Sequence, residues 1–129
     1  MRATVSTDIE MSVRTADAIL CATNSTSPIL ERKWLKENAF VSSIGPKFLE
    51  AHELPTDIAS GNSIVVSDAL AQLASYSTPY FLPSLDGVIA LEDAIVPAID
   101  LAKACHRIFL CGGRSGTEVA VANQALNNF

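Results

Sequence analysis

Four short apolar runs constrain the fold more than any other feature of this chain. They are rich in Ile, Val, Leu and Phe, show little polar alternation, and span residues 18–22, 39–44, 64–66 and 107–111. Runs of this kind are typical of strands that are covered on both faces within a parallel sheet. We therefore predict an α/β fold with a short, mostly parallel sheet of about four strands flanked by helices.

Segments of helical character separate these runs. They cover residues 8–15, 30–37, 48–59, 69–76, 85–96 and 117–126. We expect Asp8 to cap the first helix, because its side-chain oxygen can accept from a free N–H of the first turn. In the last segment Val119, Ala122 and Leu126 form one apolar stripe that should pack on the sheet. This alternation of strands and helices favours βαβ units with right-handed crossovers.

Residues 77–84 interrupt the pattern, because Pro79 and Pro83 frame an aromatic segment that contains Tyr80 and Phe81. The prolines disfavour a helix and predict an aromatic-bearing loop. Such a loop could line a site or a contact surface, or it could simply connect two elements. The plain connector is the simpler interpretation.

Composition limits the classes of partner. The chain has 129 residues, 49% of them hydrophobic, which is enough for one core, so we predict a single domain over residues 1–129. A formal net charge of −5 gives a polyanion no electrostatic reason to bind, and we expect no nucleic-acid partner. Neither a secretory signal nor an apolar stretch of about 20 residues is visible, which predicts a cytoplasmic protein without a membrane partner.

The cysteines and histidines form no motif that marks a reactive site. Cys21, Cys105 and Cys111 include no Cys-x-x-Cys pair, so we expect reduced, buried thiols. His52 and His106 have no nucleophile or carboxylate at a spacing that marks a catalytic or metal site. We therefore predict no metal site and assign no catalytic residue.

Small polar residues follow the first apolar run. Thr23, Asn24 and Ser25 offer hydroxyls and an amide at the carboxyl end of a predicted parallel strand, where an open α/β sheet binds nucleotides. The alternative is an ordinary strand-to-helix turn in which Thr26 or Ser27 caps the next helix. Spacing alone favours that turn.

Two further strand ends point to the same edge of the sheet. Gly45 follows the second run, where a glycine could bring the backbone close to a ligand. The glycines after Cys111 resemble a phosphate loop between a strand and a helix. A dinucleotide fingerprint, however, would need glycine in place of Cys111. A weaker alternative is that an anion binds near the backbone N–H groups of Gly116 and Thr117.

These segments, in this order, resemble the ornithine cyclodeaminase and mu-crystallin family. The family pattern has Ala-Asp before an apolar strand, Ala-Thr after it, Pro before the next helix, Trp-Leu, a strand running into Gly, Glu-Leu several residues on, and a Val-Asp pair that closes the next strand. The matching residues are Ala16, Asp17, Ala22, Thr23, Pro28, Trp34, Leu35, Gly45, Glu53, Leu54, Ser67 and Asp68. The resemblance continues through residues 89–95 and 108–113 to the last helix, and covers nearly the whole chain.

Members of this family pair a dimerising substrate domain with an NAD(P)-binding Rossmann domain and perform hydride chemistry on amino acids or cyclic imines. The resemblance implies a truncated Rossmann-like domain with NAD or NADP as cofactor. The cofactor-binding residues that it implies are Thr23, Asn24 and Ser25 along the dinucleotide, with Ile44, Gly45, Cys111 and Gly113 near its nicotinamide end.

The sequence also departs from the family pattern. Lys47 stands where some members carry a catalytic aspartate, Leu110 and Cys111 replace a Lys-Ser pair, and Glu118 replaces a helix aspartate. The family's Gly-x-Gly loop and substrate domain would precede Met1. We therefore expect weak or no cofactor binding by the isolated chain and no independent catalysis.

Two functions follow as hypotheses. The first is a partial NAD(P)-binding module of this family, and the alternative is a non-catalytic oligomerising or binding remnant. In either case the strand at residues 18–22 should form an open edge of the sheet, since its usual neighbour would precede this chain. We expect a second copy, residues 2–7 or a completing polypeptide to cover that edge.

Overall fold

A computed structural model of the chain describes residues 3–95 and 104–112. The strands are β1 (Ala18–Cys21), β2 (Ala39–Ser43), β3 (Lys47–Phe48), β4 (Ala51–His52), β5 (Ser63–Ser67), β6 (Val88–Ala90) and β7 (His106–Leu110). The helices are α1 (Ile9–Thr15), α2 (Leu70–Ser75) and α3 (Leu91–Ile95). The fold is α/β.

A five-stranded sheet with the order β1-β2-β7-β5-β6 organises the domain. Every neighbouring pair is parallel, and β7 lies at the centre between β2 and β5. The predicted α/β class and parallel sheet are confirmed, and all four apolar runs form strands. The sheet has one strand more than expected, since β6 arises within the segment that we predicted as helical over residues 85–96. Its β-branched residues Val88 and Ile89 pair beside β5 before α3 begins at Leu91.

The helix predictions have mixed outcomes. Asp8 caps α1 as expected, because its Oδ1 accepts from the Met11 N–H at 2.8 Å. The helix predicted over residues 69–76 is confirmed as α2. Residues 30–37 contain only a short 3₁₀ turn, Arg32–Trp34. The helix predicted over residues 117–126, with its stripe, lies outside the described residues.

The predicted helix over residues 48–59 is wrong. This segment forms the antiparallel pair β3 and β4, followed by a 3₁₀ turn at Thr56–Ala59. The proline-framed loop is the cause, because the Leu49 N–H donates to Pro79 O and the Phe81 N–H donates to Lys47 O. These long-range bonds hold the β3 backbone extended, and Pro55 separates the strand pair from the turn.

Among the described residues, the buried core side chains of the strands lie on one face of the sheet. Its buried side chains include Val41, Val65 and Ile108 from the central strands, and Trp34 packs against them. All three cysteines are free, but only Cys21 is buried, whereas Cys105 and Cys111 are half-buried. The expectation of buried thiols is therefore right for Cys21 alone. No helix within residues 3–95 or 104–112 is long and apolar enough to cross a membrane.

β1 forms one edge of the sheet, as predicted. Among the described residues it pairs with β2 only, and Leu20 is 67% exposed. Residues 3–7 form no strand, so the described part of the N-terminal segment does not pair with β1.

Candidate functional site

The carboxyl ends of β1, β2 and β7 meet at one edge of the sheet, because these neighbouring strands are parallel. The pairing extends one residue past each strand, since the Ile44 N–H donates to Cys21 O at 2.9 Å and the Cys111 N–H donates to Ser43 O at 3.0 Å. Six residues that we assigned to the cofactor follow these strands and share this edge: Thr23, Asn24, Ser25, Ile44, Gly45 and Cys111. The seventh, Gly113, lies outside the described residues.

The buried carboxylate of Glu53 holds two of these strand ends together. Its Oε1 accepts from Ser43 Oγ at 2.7 Å and from the Gly45 N–H at 2.6 Å. Its Oε2 accepts from Thr23 Oγ1 at 2.8 Å and from the Thr23 N–H at 3.0 Å. Glu53 is fully buried. One side chain therefore joins the ends of β1 and β2, and we refer to Glu53, Thr23, Ser43 and Gly45 as the Glu53 clamp.

The Glu53 clamp keeps its carboxylate ionised. Burial raises the pKa of Glu53, but the hydrogen bonds from Ser43, Thr23 and Gly45 outweigh that effect, and the pKa lies below its ordinary value of 4.5. Gly45 is required here for space, because a Cβ at this position would overlap the Glu53 carboxylate and Thr23 O. The glycine thus makes room for the clamp, a role that its place in the sequence did not indicate.

The hydroxyls in the loop after β1 shape that loop. Thr23 donates to Glu53 and accepts from the Ser25 N–H at 3.2 Å, while Ser25 donates to Ser27 O at 2.6 Å. The alternative of a helix cap at Thr26 or Ser27 is wrong, since only the 3₁₀ turn at residues 32–34 follows. Asn24 is exposed on this loop.

A second carboxylate supports the end of β7. Asp68 follows β5, and its Oδ1 accepts from the Gly112 N–H at 2.6 Å. The thiol of Cys111 donates to Asp68 Oδ2 at 3.6 Å. A Cβ on Gly112 would overlap the side chain of Ala69. The chain after β7 therefore passes close to the end of β5, and only glycine fits there.

A cleft of about 120 Å³ opens beside these strand ends. We call it the Lys47–Tyr80 cleft. Its lining residues are Ile44, Gly45, Pro46, Lys47, Phe48, Leu73, Tyr76, Tyr80, Cys111 and Gly112. Three of the residues assigned to the nicotinamide end of a dinucleotide thus form part of its wall. The loop at residues 77–84 lines this cleft through Tyr80, so it is more than a connector.

Lys47 is the one cation in the lining of the cleft. It is 8% exposed, and its Nζ donates to Gly45 O at 2.7 Å. Burial lowers the pKa of Lys47 below 10.5, although the nearby Glu53, Cys111 and Asp68 act in the opposite direction. The hydroxyl of Tyr80 is buried without a hydrogen-bond partner among the described residues. Burial, followed by the charges of Asp68 and Tyr76, raises the pKa of Tyr80, which keeps the phenol protonated.

The two histidines lie away from this arrangement. His106 begins β7, at the opposite edge of the sheet, and its Nδ1 lies 3.5 Å from Ser63 Oγ. His52 on β4 stacks on Phe81, with its Nδ1 3.1 Å from Phe48 O. No group of three or more potential metal ligands occurs within residues 3–95 and 104–112.

Sequence reasoning named Glu53 and Asp68 only as matches to a family pattern and gave neither a role. The available signal was an acidic residue directly before an apolar one, as in Glu53-Leu54, where Leu54 is also buried. A buried carboxylate needs hydrogen-bond donors, and the polar strand ends were the candidates to supply them.

An open parallel α/β sheet with polar groups at its carboxyl edge defines a Rossmann-like domain. The model of the ornithine cyclodeaminase/mu-crystallin family matches residues 1–113. The chain belongs to that family.

The fold is also similar to a solved structure described as a probable ornithine cyclodeaminase from Bordetella pertussis Tohama I, with a TM-score of 0.73 and 25% sequence identity. The match covers 88% of this chain and 39% of that chain. The present chain therefore spans well under half the length of that relative. No curated protein matches this sequence significantly.

Proposed function

We propose that this chain is a partial NAD(P)-binding module of the ornithine cyclodeaminase/mu-crystallin family. The Glu53 clamp carries the proposal. It fixes the carboxyl ends of β1 and β2 side by side, at the edge where open α/β sheets bind nucleotides. The clamp uses Thr23 and Gly45, which belong to the family pattern, so the matched residues are joined in one hydrogen-bond network.

In this proposal the dinucleotide lies across the strand ends. The loop with Thr23, Asn24 and Ser25 contacts its length, and Ile44, Gly45, Cys111 and Gly113 approach the nicotinamide. The hydroxyls of Thr23 and Ser25 already donate within the protein, so they present lone pairs, and exposed Asn24 supplies both a donor and an acceptor. When bound, the cofactor would supply hydride transfer, while these residues bind and orient it.

Binding by the isolated chain should be weak. The sequence contains no Gly-x-Gly-x-x-Gly motif for a pyrophosphate, and the carboxylates of Glu53 and Asp68 lie near the proposed site. We propose that a completing polypeptide or a second copy supplies the missing contacts. Hydride chemistry on an amino acid or cyclic imine would then belong to the completed protein, and not to this chain alone.

Calorimetric titration with NADPH and NADH tests the proposal. Asn24→Tyr places a large side chain on the exposed loop without breaking the Glu53 clamp, and should weaken binding at least about tenfold, or by about 1.4 kcal/mol. Glu37→Tyr is the matched control, because Glu37 is exposed before β2 at the opposite edge. Absence of binding at millimolar cofactor, or equal binding by Asn24→Tyr, would contradict the assignment.

The second candidate is a non-catalytic oligomerising role, which the open edge of β1 favours. Leu20 on β1 is exposed, as are Ile9 and Met11 on α1. Exposed apolar strand edges invite pairing with another chain. Light scattering that finds an oligomer, with slow amide exchange at residues 19–21 and no NADPH binding, would favour this role. A monomer with rapid exchange there would exclude it.

A further inference from the structure

We propose that the Lys47–Tyr80 cleft binds the carboxylate of a small organic acid. In the completed protein this cleft would hold the carboxylate of a substrate next to the dinucleotide, and that role rests on the proposed function above. The binding itself depends only on two residues that line one small cleft and carry hydrogen-bond donors, Lys47 and Tyr80.

Lys47 supplies the positive charge. Lys47 is 8% exposed, and among the described residues its Nζ gives one hydrogen bond, to Gly45 O. A lysine ammonium has three N–H donors, so two remain for a ligand. The charged and titratable groups that face it are Glu53, Asp68 and Cys111.

The carboxylates nearby already have hydrogen-bond donors of their own. Both oxygens of Glu53 accept within the Glu53 clamp, from Ser43, Gly45 and Thr23. Asp68 accepts from the Gly112 N–H. Because other donors already bond these carboxylates, the remaining N–H donors of Lys47 are available to an added carboxylate, whose binding the negative charges of Glu53 and Asp68 weaken.

Tyr80 supplies the second donor. Its hydroxyl is buried without a partner among the described residues, an arrangement that folded proteins rarely keep unless a ligand or water completes it. Because the phenol stays protonated, it can donate to an incoming oxygen. A carboxylate accepts from both an ammonium and a hydroxyl, whereas a cationic ligand would face Lys47 with like charge.

The size of the cleft selects a small ligand. About 120 Å³ is well below the roughly 300–1,000 Å³ of typical small-molecule sites. That volume suits a carboxylate with one or a few carbons, which Phe48 and Leu73 can cover. Ile44, Gly45 and Cys111 line the same cleft, so the acid would lie next to the proposed nicotinamide position.

NMR titration of the full chain with three small probes tests this inference. The probes are acetate, its neutral analogue acetamide, and the cation methylammonium, and the reporters are the backbone amides of Gly45, Lys47 and Gly112. We expect acetate to shift these amides saturably, with a dissociation constant on the order of 10 mM. Acetamide should shift them less, and methylammonium should leave them unchanged.

Variants separate the cleft from general ionic effects. Lys47→Met should weaken acetate binding at least about tenfold, whereas Lys47→Arg should retain much of it. Tyr80→Phe should weaken it several-fold. This variant removes only a hydroxyl that has no hydrogen-bond partner in the part of the chain that the structure describes, so it carries the test if Lys47→Met does not fold. Lys33→Met is the control, because Lys33 pairs with Glu31 on the surface.

Three results would overturn the inference: no saturable shift with acetate, an equal response to methylammonium, or unchanged acetate binding in both Lys47→Met and Tyr80→Phe. Acetate is added without dinucleotide, so the two proposals fail separately. Acetate binding without NADPH binding supports the cleft and contradicts the proposed function. NADPH binding without acetate binding supports the proposed function and contradicts the cleft as a carboxylate site.

Discussion

Replacing Glu53 with Gln should destabilise the fold by removing half of the acceptors in the Glu53 clamp. Each carboxylate oxygen accepts one hydroxyl and one backbone N–H, from Ser43 and Gly45 on Oε1 and from Thr23 on Oε2. In the variant an NH₂ group replaces one oxygen. The hydroxyl that faces it can rotate and accept, but the backbone N–H cannot.

The size of the destabilisation follows from this difference between the hydroxyl and the backbone N–H. A buried N–H without an acceptor costs about 1–3 kcal/mol, and the N–H groups of Thr23 and Gly45 are part-buried, so the lower part of that range applies to them; the remaining bonds also lose the strength that the charge gave them. We expect a decrease of about 3 kcal/mol in the free energy of unfolding, a large part of the roughly 5–15 kcal/mol typical of a domain.

Urea unfolding at pH 7, followed by Trp34 fluorescence and by circular dichroism, measures this change. With a slope of about 2 kcal/mol per molar urea, the midpoint should fall by about 1.5 M. Glu50→Gln is the matched control, because Glu50 is exposed three residues earlier, and it should change stability by less than about 0.5 kcal/mol. If Glu53→Gln unfolds at the same urea concentration as Glu50→Gln, the clamp does not hold the strand ends as we argue.

The pH dependence gives an independent check. The pKa of Glu53 is lower in the folded protein than its ordinary value of 4.5, so its stabilising contribution is complete above 4.5 and is lost as the pH falls through the lowered value. The difference in stability between the native chain and Glu53→Gln should therefore shrink on acidification. A difference that is constant from pH 7 to about pH 3 would contradict an ionised clamp.

Three further results are expected. Gly112→Ala should lower the free energy of unfolding by about 1–3 kcal/mol in urea titration, because its Cβ overlaps the Ala69 side chain; an unchanged midpoint would refute that close approach. Burial, together with the Glu53 carboxylate, raises the pKa of Cys21 to about 11, so mass spectrometry should find it the slowest thiol to react with iodoacetamide at pH 8; equal rates for all thiols would count against this. Burial, followed by the Arg32 charge, lowers the pKa of His106 below 6.5. The contribution of His106 to the free energy of unfolding is therefore complete above pH 6.5 and is lost as the pH falls through the lowered pKa. An NMR titration of His106 with a midpoint above 6.5 would be inconsistent with this direction.

The strands at residues 18–22, 39–44, 64–66 and 107–111 were predictable because a buried strand depends on the apolar content of its own few residues. The Asp8 cap was predictable for the same reason, since its hydrogen bond spans only three residues. β6 was missed because Val88–Ala90 is short and directly precedes a helix, and pairing with β5 decides its conformation.

The family resemblance also came from the sequence, through small motifs at fixed spacing. It placed Thr23, Gly45 and Cys111 at strand ends that the structure brings to one edge. It did not reveal that Gly45 makes room for a buried carboxylate, because that reason becomes visible only when Glu53 is in place.

The sequence by itself therefore determined the α/β class, the parallel sheet and the family, since apolar runs and motif spacings are local properties of the chain. Only the tertiary structure decided which polar groups meet. Glu53 is 30 residues from Thr23 along the chain, and the loop that carries Tyr80 reaches the strand of Lys47 through backbone pairing. Hydrogen-bond partners at such separations depend on how the strands are ordered in the sheet, and no local pattern of residues encodes that order.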